Sequence, residues 1–197
     1  MGLEYLDTKE FLTNLMKSLP DAIFTIKLPE RQIEYVNQAI YTMFGYTPEE
    51  VIGKTTRIFY PDEFSYASFG QKLQTAIARG EKNIIADQRL IKKDGTSLWV
   101  EIHTTFLFLD GSPLKVISVL RDITGRKRIE DSLRLSEEKF SKVFHLSPDP
   151  NVITTLGEGR ILEINRSFGR VFGYSRKEAI GRTSKELNIW INHKDRQ

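Results

Sequence analysis

An internal repeat constrains this chain more than any other feature of its sequence. Residues match at a fixed offset, without gaps, such that Asn165 follows Asn37 by 128 positions. Pro20-Asp21 recurs as Pro148-Asp149, Ile33 as Ile161, and Phe44-Gly45-Tyr46 as Phe172-Gly173-Tyr174. Glu50, Ile52-Gly53 and Thr55 recur as Glu178, Ile180-Gly181 and Thr183. The matched residues have physical jobs. Thr47-Pro48-Glu49-Glu50 reads as a capping box, with Thr47 at the N-cap, Pro48 at the first helical position and Glu50 reaching back from the third. Ser175-Arg176-Lys177-Glu178 keeps the cap and the Glu but lacks the Pro. Gly45 and Gly173 each follow an apolar helical stretch, where a left-handed C-cap belongs. The two stretches therefore share a backbone plan. The second is shorter: Gln197 corresponds to Phe69, so equivalents of 70–124 are missing.

Asp7-Thr8-Lys9-Glu10 opens a helix with apolar positions Phe11, Leu12, Leu15, Met16 and Leu19, ended by Pro20-Asp21. Ile23–Leu28 and Gln32–Val36 read as short strands around a Pro29-Glu30-Arg31 turn. Gln38–Phe44, Pro48–Val51 and Thr55–Phe59 are short helical pieces. Asp62–Arg79 is a longer helix whose apolar face is Phe64, Phe69, Leu73, Ala76 and Ile77. Strands follow at Asn83–Lys92, Ser97–Phe108 and Leu114–Arg121. Asp94-Gly95 reads as a two-residue hairpin turn, and Asp110-Gly111 as a second hairpin turn. Hairpin-length connections favour an antiparallel sheet with its helices gathered on one side, an α+β fold.

From Thr124 a helix runs toward Leu146. Ile129, Leu133, Ser136, Phe140 and Val143 alternate in steps of four and three, a short heptad seam broken by one polar residue.

Composition narrows the function classes. The net charge of +3 is too small to argue for nucleic acid. No cysteine is present, which excludes a disulfide framework, a thiolate zinc site and a thiol nucleophile, and suits a reducing cytoplasm. Apolar runs such as Phe106–Leu109 fall far below the roughly 18 residues of a membrane span. The polar, acidic start Met1–Glu10 is unlike a signal peptide.

At this point the residues resemble a known family. Pro20-Asp21, Asn37, Phe44-Gly45-Tyr46 and Glu50-x-Ile52-Gly53-Lys54 look like a PAS domain. Lys93-Asp94-Gly95, Trp99-Val100 and Arg121-Asp122-Ile123-Thr124 look like its C-terminal PAC half, over about 83–124. The resemblance implies a five-stranded antiparallel sheet of order 2-1-5-4-3, helices over one face and a small cavity between them. It divides the chain into a flanking helix (1–19), a complete PAS domain (20–124), a signalling helix (125–146) and the truncated first half of a second PAS domain (147–197). It also implies a cytoplasmic sensor, not an enzyme, that relays a signal through its C-terminal helix to a kinase, cyclase or other output domain of the same polypeptide, as in two-component phosphorelays. A homodimer through Ile129, Leu133, Phe140 and Val143 is expected, with Leu12, Leu15 and Leu19 as a second contact. The alternative is a non-sensing dimerisation scaffold whose cavity is filled by Phe44, Phe59, Phe64, Phe69 and Phe106.

Candidates for the ligand pocket are Asn37, Phe44, Phe59, Phe69, Leu73, Gln88 and Leu90. Asn37 ends a strand where helices begin. It serves either as a local turn or cap, or as a polar contact at the cavity mouth. Gln88 shares a strand face with Ile84, Ala86 and Leu90, so it either meets a ligand or water, or is a satisfied core glutamine. The candidates for coupling are Trp99, Arg121, Asp122 and Thr124. Asp122 either pairs with a basic side chain or caps the output helix, a role for which Thr124 competes. His103 alternates onto the outer face with Trp99, Glu101 and Thr105. His145-Leu146-Ser147-Pro148 has the outline of a kinase phospho-acceptor box, but His145 is the copy of Lys17 and Pro148 the copy of Pro20. His193 has no evident partner, and no metal site is expected. Haem-binding relatives carry a His on or near the long helix. The absence of one from 62–79 disfavours haem, and the absence of cysteine excludes covalent flavin photochemistry. A non-covalent small ligand remains open. Residues 148–197 alone supply only a hairpin and short helices, so they are expected to be poorly ordered, to borrow a sheet edge, or to be an excerpt of a longer chain.

Overall fold

Alternation along the strands decides which side of the sheet is covered. In a computed structural model describing residues 8–109 and 112–189, Leu98, Val100, Ile102, Thr104 and Phe106 point into the core and Trp99, His103 and Thr105 point out. Asp7, the Asp110-Gly111 turn, His193 and the side chain of Leu12 lie outside the described residues.

The chain runs α1 (Thr8–Ser18), β1 (Ala22–Lys27), β2 (Gln32–Val36), α2 (Ala39–Phe44), α3 (Pro48–Val51), a 3-10 turn (Thr56–Phe59), α4 (Glu63–Ala78), β3 (Asn83–Ile91), β4 (Ser97–Leu109) and β5 (Ser112–Asp122). The strands pair antiparallel in the order β2-β1-β5-β4-β3 expected from the resemblance. Helix α5 (Thr124–Leu146) follows, then β6 (Val152–Thr154), β7 (Ile161–Ile164), α6 (Arg166–Phe172) and α7 (Arg176–Ala179).

Local chemistry sets the helix ends. Asp62 Oδ1 accepts from Ser65 N at 2.7 Å and starts α4. Phe69, Leu73 and Ala76 then line its inner face at helical spacing. Phe64 sits off that stripe in the first turn and is 83% exposed, so it does not help fill the interior. The β3–β4 hairpin also differs from expectation. Gly95 N donates to Lys92 O and Lys92 N donates to Thr96 O, while Gly95 takes φ 83°. This is a three-residue loop with a left-handed glycine, and Asp94 Oδ1 holds it by accepting from Thr96 N.

The chain divides into two compact units, Met1–Arg128 and Ile129–Gln197, with the boundary falling within α5. In the second unit β6 and β7 form a two-stranded sheet of their own. Ile161, Ile164, Phe168, Ala179 and Leu187 make its small core. No described helix is long and apolar enough to cross a membrane.

Candidate ligand cavity and output junction

Asn37 sits where β2 gives way to α2 and is 3% exposed. Its Oδ1 accepts from Ile23 N at 2.9 Å, and its Nδ2 donates to Met16 O at 3.0 Å and Asp21 O at 3.1 Å. Every partner is backbone, and all lie 14 to 21 residues away. Asn37 is therefore a latch between α1, β1 and β2, and it does not line the cavity. Asn165 repeats the latch: Oδ1 accepts from Asn151 N, and Nδ2 donates to Asp149 O. Both repeat partners obey the offset read from the sequence.

The cavity lies between the sheet and α4 and measures about 30 Å³. Of the sequence candidates, Phe59, Phe69, Leu73 and Leu90 line it. Phe44 and Gln88 do not. The Phe44 ring lies against Phe59 at 4.8 Å, so Phe59 screens it from the space. Gln88 is on edge strand β3, half-buried, and the cavity reaches only its neighbour Leu90.

Four polar residues of the wall were not anticipated: Arg31, Thr56, Tyr60 and Ser118. Arg31 comes from the β1–β2 turn at φ 59°, yet its side chain is buried. Nη1 donates to Tyr66 O at 2.7 Å and Nη2 to Tyr60 Oη at 2.9 Å. The guanidinium carbon lies 4.0 Å from the Tyr66 ring centroid and 5.5 Å from that of Phe69. Gly70 makes room for it, since a Cβ there would meet Arg31 Nη1 at 3.1 Å. Burial pushes the Tyr60 phenol up to about 12, so Tyr60 stays neutral beside the cation. Thr56 Oγ1 is buried with no hydrogen-bond partner. Ser118, across the cavity, is satisfied by Thr104 at 2.9 Å. The sequence signalled only the unusual backbone at Arg31, since the repeat places Gly159, also at positive φ, in its position.

The junction from β5 to α5 is gripped by β4. Ile123 N donates to Trp99 O and Trp99 N donates to Thr124 Oγ1, both at 2.9 Å. Asp122 Oδ1 accepts from Thr124 N at 2.8 Å, the capping role. Arg121 makes the charge contact at this junction, with Nη2 at 2.8 Å from Asp21 Oδ2. The first turn of α5 adds Lys127 Nζ to Asp87 Oδ2 at 2.8 Å and Arg126 Nη2 to Glu101 Oε1 at 3.4 Å. Lys127 also lies over the Trp99 ring at 5.7 Å. Ile129, Leu133, Phe140 and Val143 are all exposed along α5. His103 is exposed beside Glu101, and His145 packs edge-on against Phe144. Among the described residues no group of three potential ligands could hold a metal.

Residues 20–125 match the family described as PAS domain, and residues 138–196 the family described as PAS fold. The chain is 27% identical over 206 residues to the sensor protein TdiS of Thauera aromatica, covering 84% of this chain and 37% of that protein. It is 27% identical over 153 residues to the oxygen sensor protein DosP of Escherichia coli (strain K12), covering 76% of this chain and 18% of that one. The chain thus spans well under half the length of these relatives. The solved PAS domain of a protein from Colwellia psychrerythraea superposes with a TM-score of 0.54 at 20% identity, covering 60% of this chain and 99% of that one.

Proposed function

The chain belongs to the PAS family, and from that premise we propose that residues 20–124 sense a signal and pass it through α5 to an output domain of the same polypeptide. Residues 125–146 are the signalling helix, and 147–197 begin a second PAS domain. The observation that carries this reading is the grip of Trp99 on Ile123 and Thr124. Strand β4 contributes Ile102 to the cavity wall and Trp99 to the helix start, so one strand touches both signal and output. A ligand shifts α5 only by binding the two junction states with different affinity. The test is hydrogen exchange of 123–130 in the purified chain, with and without whatever small molecule native mass spectrometry finds bound. Unchanged protection on full occupancy would remove the relay.

Charge reversal probes the same junction. Lys127→Glu places like charges against Asp87 and should raise amide exchange at 123–130 by about 5- to 10-fold, the scale of one partly exposed ion pair lost and one repulsion gained. Adding Asp87→Lys should partly restore protection, while the global melting temperature moves little.

A second copy of the chain is the proposed occupant of the α5 seam, whose four large apolar side chains are 56% to 75% exposed. Sedimentation velocity should give a dimer for the unmodified chain and a monomer for Leu133→Asp, with the far-ultraviolet dichroism retained. The small cavity supports one competing reading, a self-packed scaffold. Native mass spectrometry of freshly purified protein separates the two, because a scaffold carries no stoichiometric small molecule.

A further inference from the structure

Arg31, Thr56 and Tyr60 raise a question that packing alone does not answer. A buried cation is costly unless an anion faces it. Arg31 has no carboxylate within ion-pairing range among the described residues; its hydrogen bonds go to a backbone carbonyl and to a neutral phenol. Cation–π contacts with Tyr60, Tyr66 and Phe69 ease the burial but leave the charge uncompensated. In the same wall Thr56 holds a buried hydroxyl with no partner. The backbone at Arg31 is also left-handed, a conformation that crowds the Cβ of any residue but glycine. The sibling copy avoids that crowding with Gly159. Strain, an uncompensated charge and an unsatisfied hydroxyl thus meet at one small space.

We propose that this cavity is a binding site for a small monocarboxylate, with its head group on the Arg31 guanidinium and Thr56 Oγ1 and its short apolar tail against Phe59, Leu90 and Ile102. This names the ligand class of the sensing site and rests on the sensing reading. Size and polarity select the class. About 30 Å³ is room for roughly two waters, which suits a chain of two or three carbons and excludes a nucleotide or flavin. The remaining wall is largely apolar, so one charged end is recognised and the other is buried. One guanidinium matches one negative charge in planar, two-point geometry. Arg31 also lines an outer cleft of about 320 Å³ together with Leu28, Gly70, Leu73 and Ile77. Arg31 and Leu73 line both this cleft and the inner cavity.

The test is calorimetric titration of the full chain with acetate, propionate and butyrate at constant ionic strength, against acetamide, propanol, chloride and inorganic phosphate. Acetate or propionate should bind one to one, with acetamide weaker by about 30-fold, the worth of a buried charge-assisted hydrogen bond. Butyrate, chloride and phosphate should bind more weakly than the best short carboxylate. Arg31→Gln should weaken that carboxylate by about 30-fold or more. Because Arg31→Gln can also loosen the fold, Thr56→Val is the second variant. It should raise the melting temperature of the ligand-free protein by deleting an unpaired buried hydroxyl, yet weaken carboxylate binding about 5- to 10-fold. Equal binding of acetate and acetamide, tightest binding by chloride or phosphate, or undiminished binding in both variants overturns the proposal. Absence of carboxylate binding alongside a different molecule in native mass spectra overturns it and leaves the sensing reading standing. Absence of carboxylate binding together with absence of any other bound molecule overturns both.

Discussion

Phe59→Ala should lower the unfolding free energy of the first unit by about 4 kcal/mol, within the range seen for buried Phe→Ala changes. Phe59 is 2% exposed and lies where three other rings converge. Phe44 lies at 4.8 Å, and Phe24 and Tyr46 both approach edge-on at 5.6 Å. These contacts join β1, α2 and the 3-10 turn, so removal strips one packing partner from each. The turn is short and held by few backbone bonds, which limits how far it can close over the gap. Urea denaturation followed by tryptophan fluorescence measures the loss. The melting temperature should fall by about 20 °C on the scale of a domain this size. Phe59→Leu should cost less than half as much, since it keeps most of the volume. A loss for Phe59→Ala below about 1.5 kcal/mol would mean that the neighbouring rings close the gap.

Asn37→Ala should cost about 3 kcal/mol. It leaves the buried Ile23 N–H unpaired and removes the donor shared by Met16 O and Asp21 O. Asn37→Asp tests the mechanism more sharply. It keeps an acceptor for Ile23 N but replaces the donor with a buried negative charge facing two carbonyls, so it should be no better than Ala at neutral pH. The same exchange at Asn165 removes the equivalent bonds and should act on the second unit alone, because distant and separate sites add independently. If Asn37→Ala melts within 3 °C of the unmodified chain, the latch role is mistaken.

Much of the fold was legible. The capping boxes at Thr47 and Ser175, the left-handed glycines at 45 and 173 and the bounds of β2 and α5 follow from residues acting on their near neighbours. The site was less legible. Phe59, Phe69, Leu73 and Leu90 were found because apolar periodicity marks inward faces. Gln88 shares such a face with Leu90, but periodicity gives the side of a strand and not the extent of the cover above it. Asp122 caps and Arg121 pairs, a division of roles that depends on Asp21, a full domain away in sequence.

The sequence by itself determined the repeat, the secondary elements, the family and the side of the sheet that is buried. Each depends on composition, on short-range spacing or on one part of the chain matching another. Only the tertiary structure decided that a turn arginine is an interior residue. The burial of Arg31 depends on Gly70, Tyr66 and Tyr60, all at least 29 positions away, closing over the β1–β2 turn. Local pattern places an arginine in a turn in water, because desolvating its charge is costly. The space over Gly70 and the aromatic rings around it reverse that placement, and they exist only once α4 has packed.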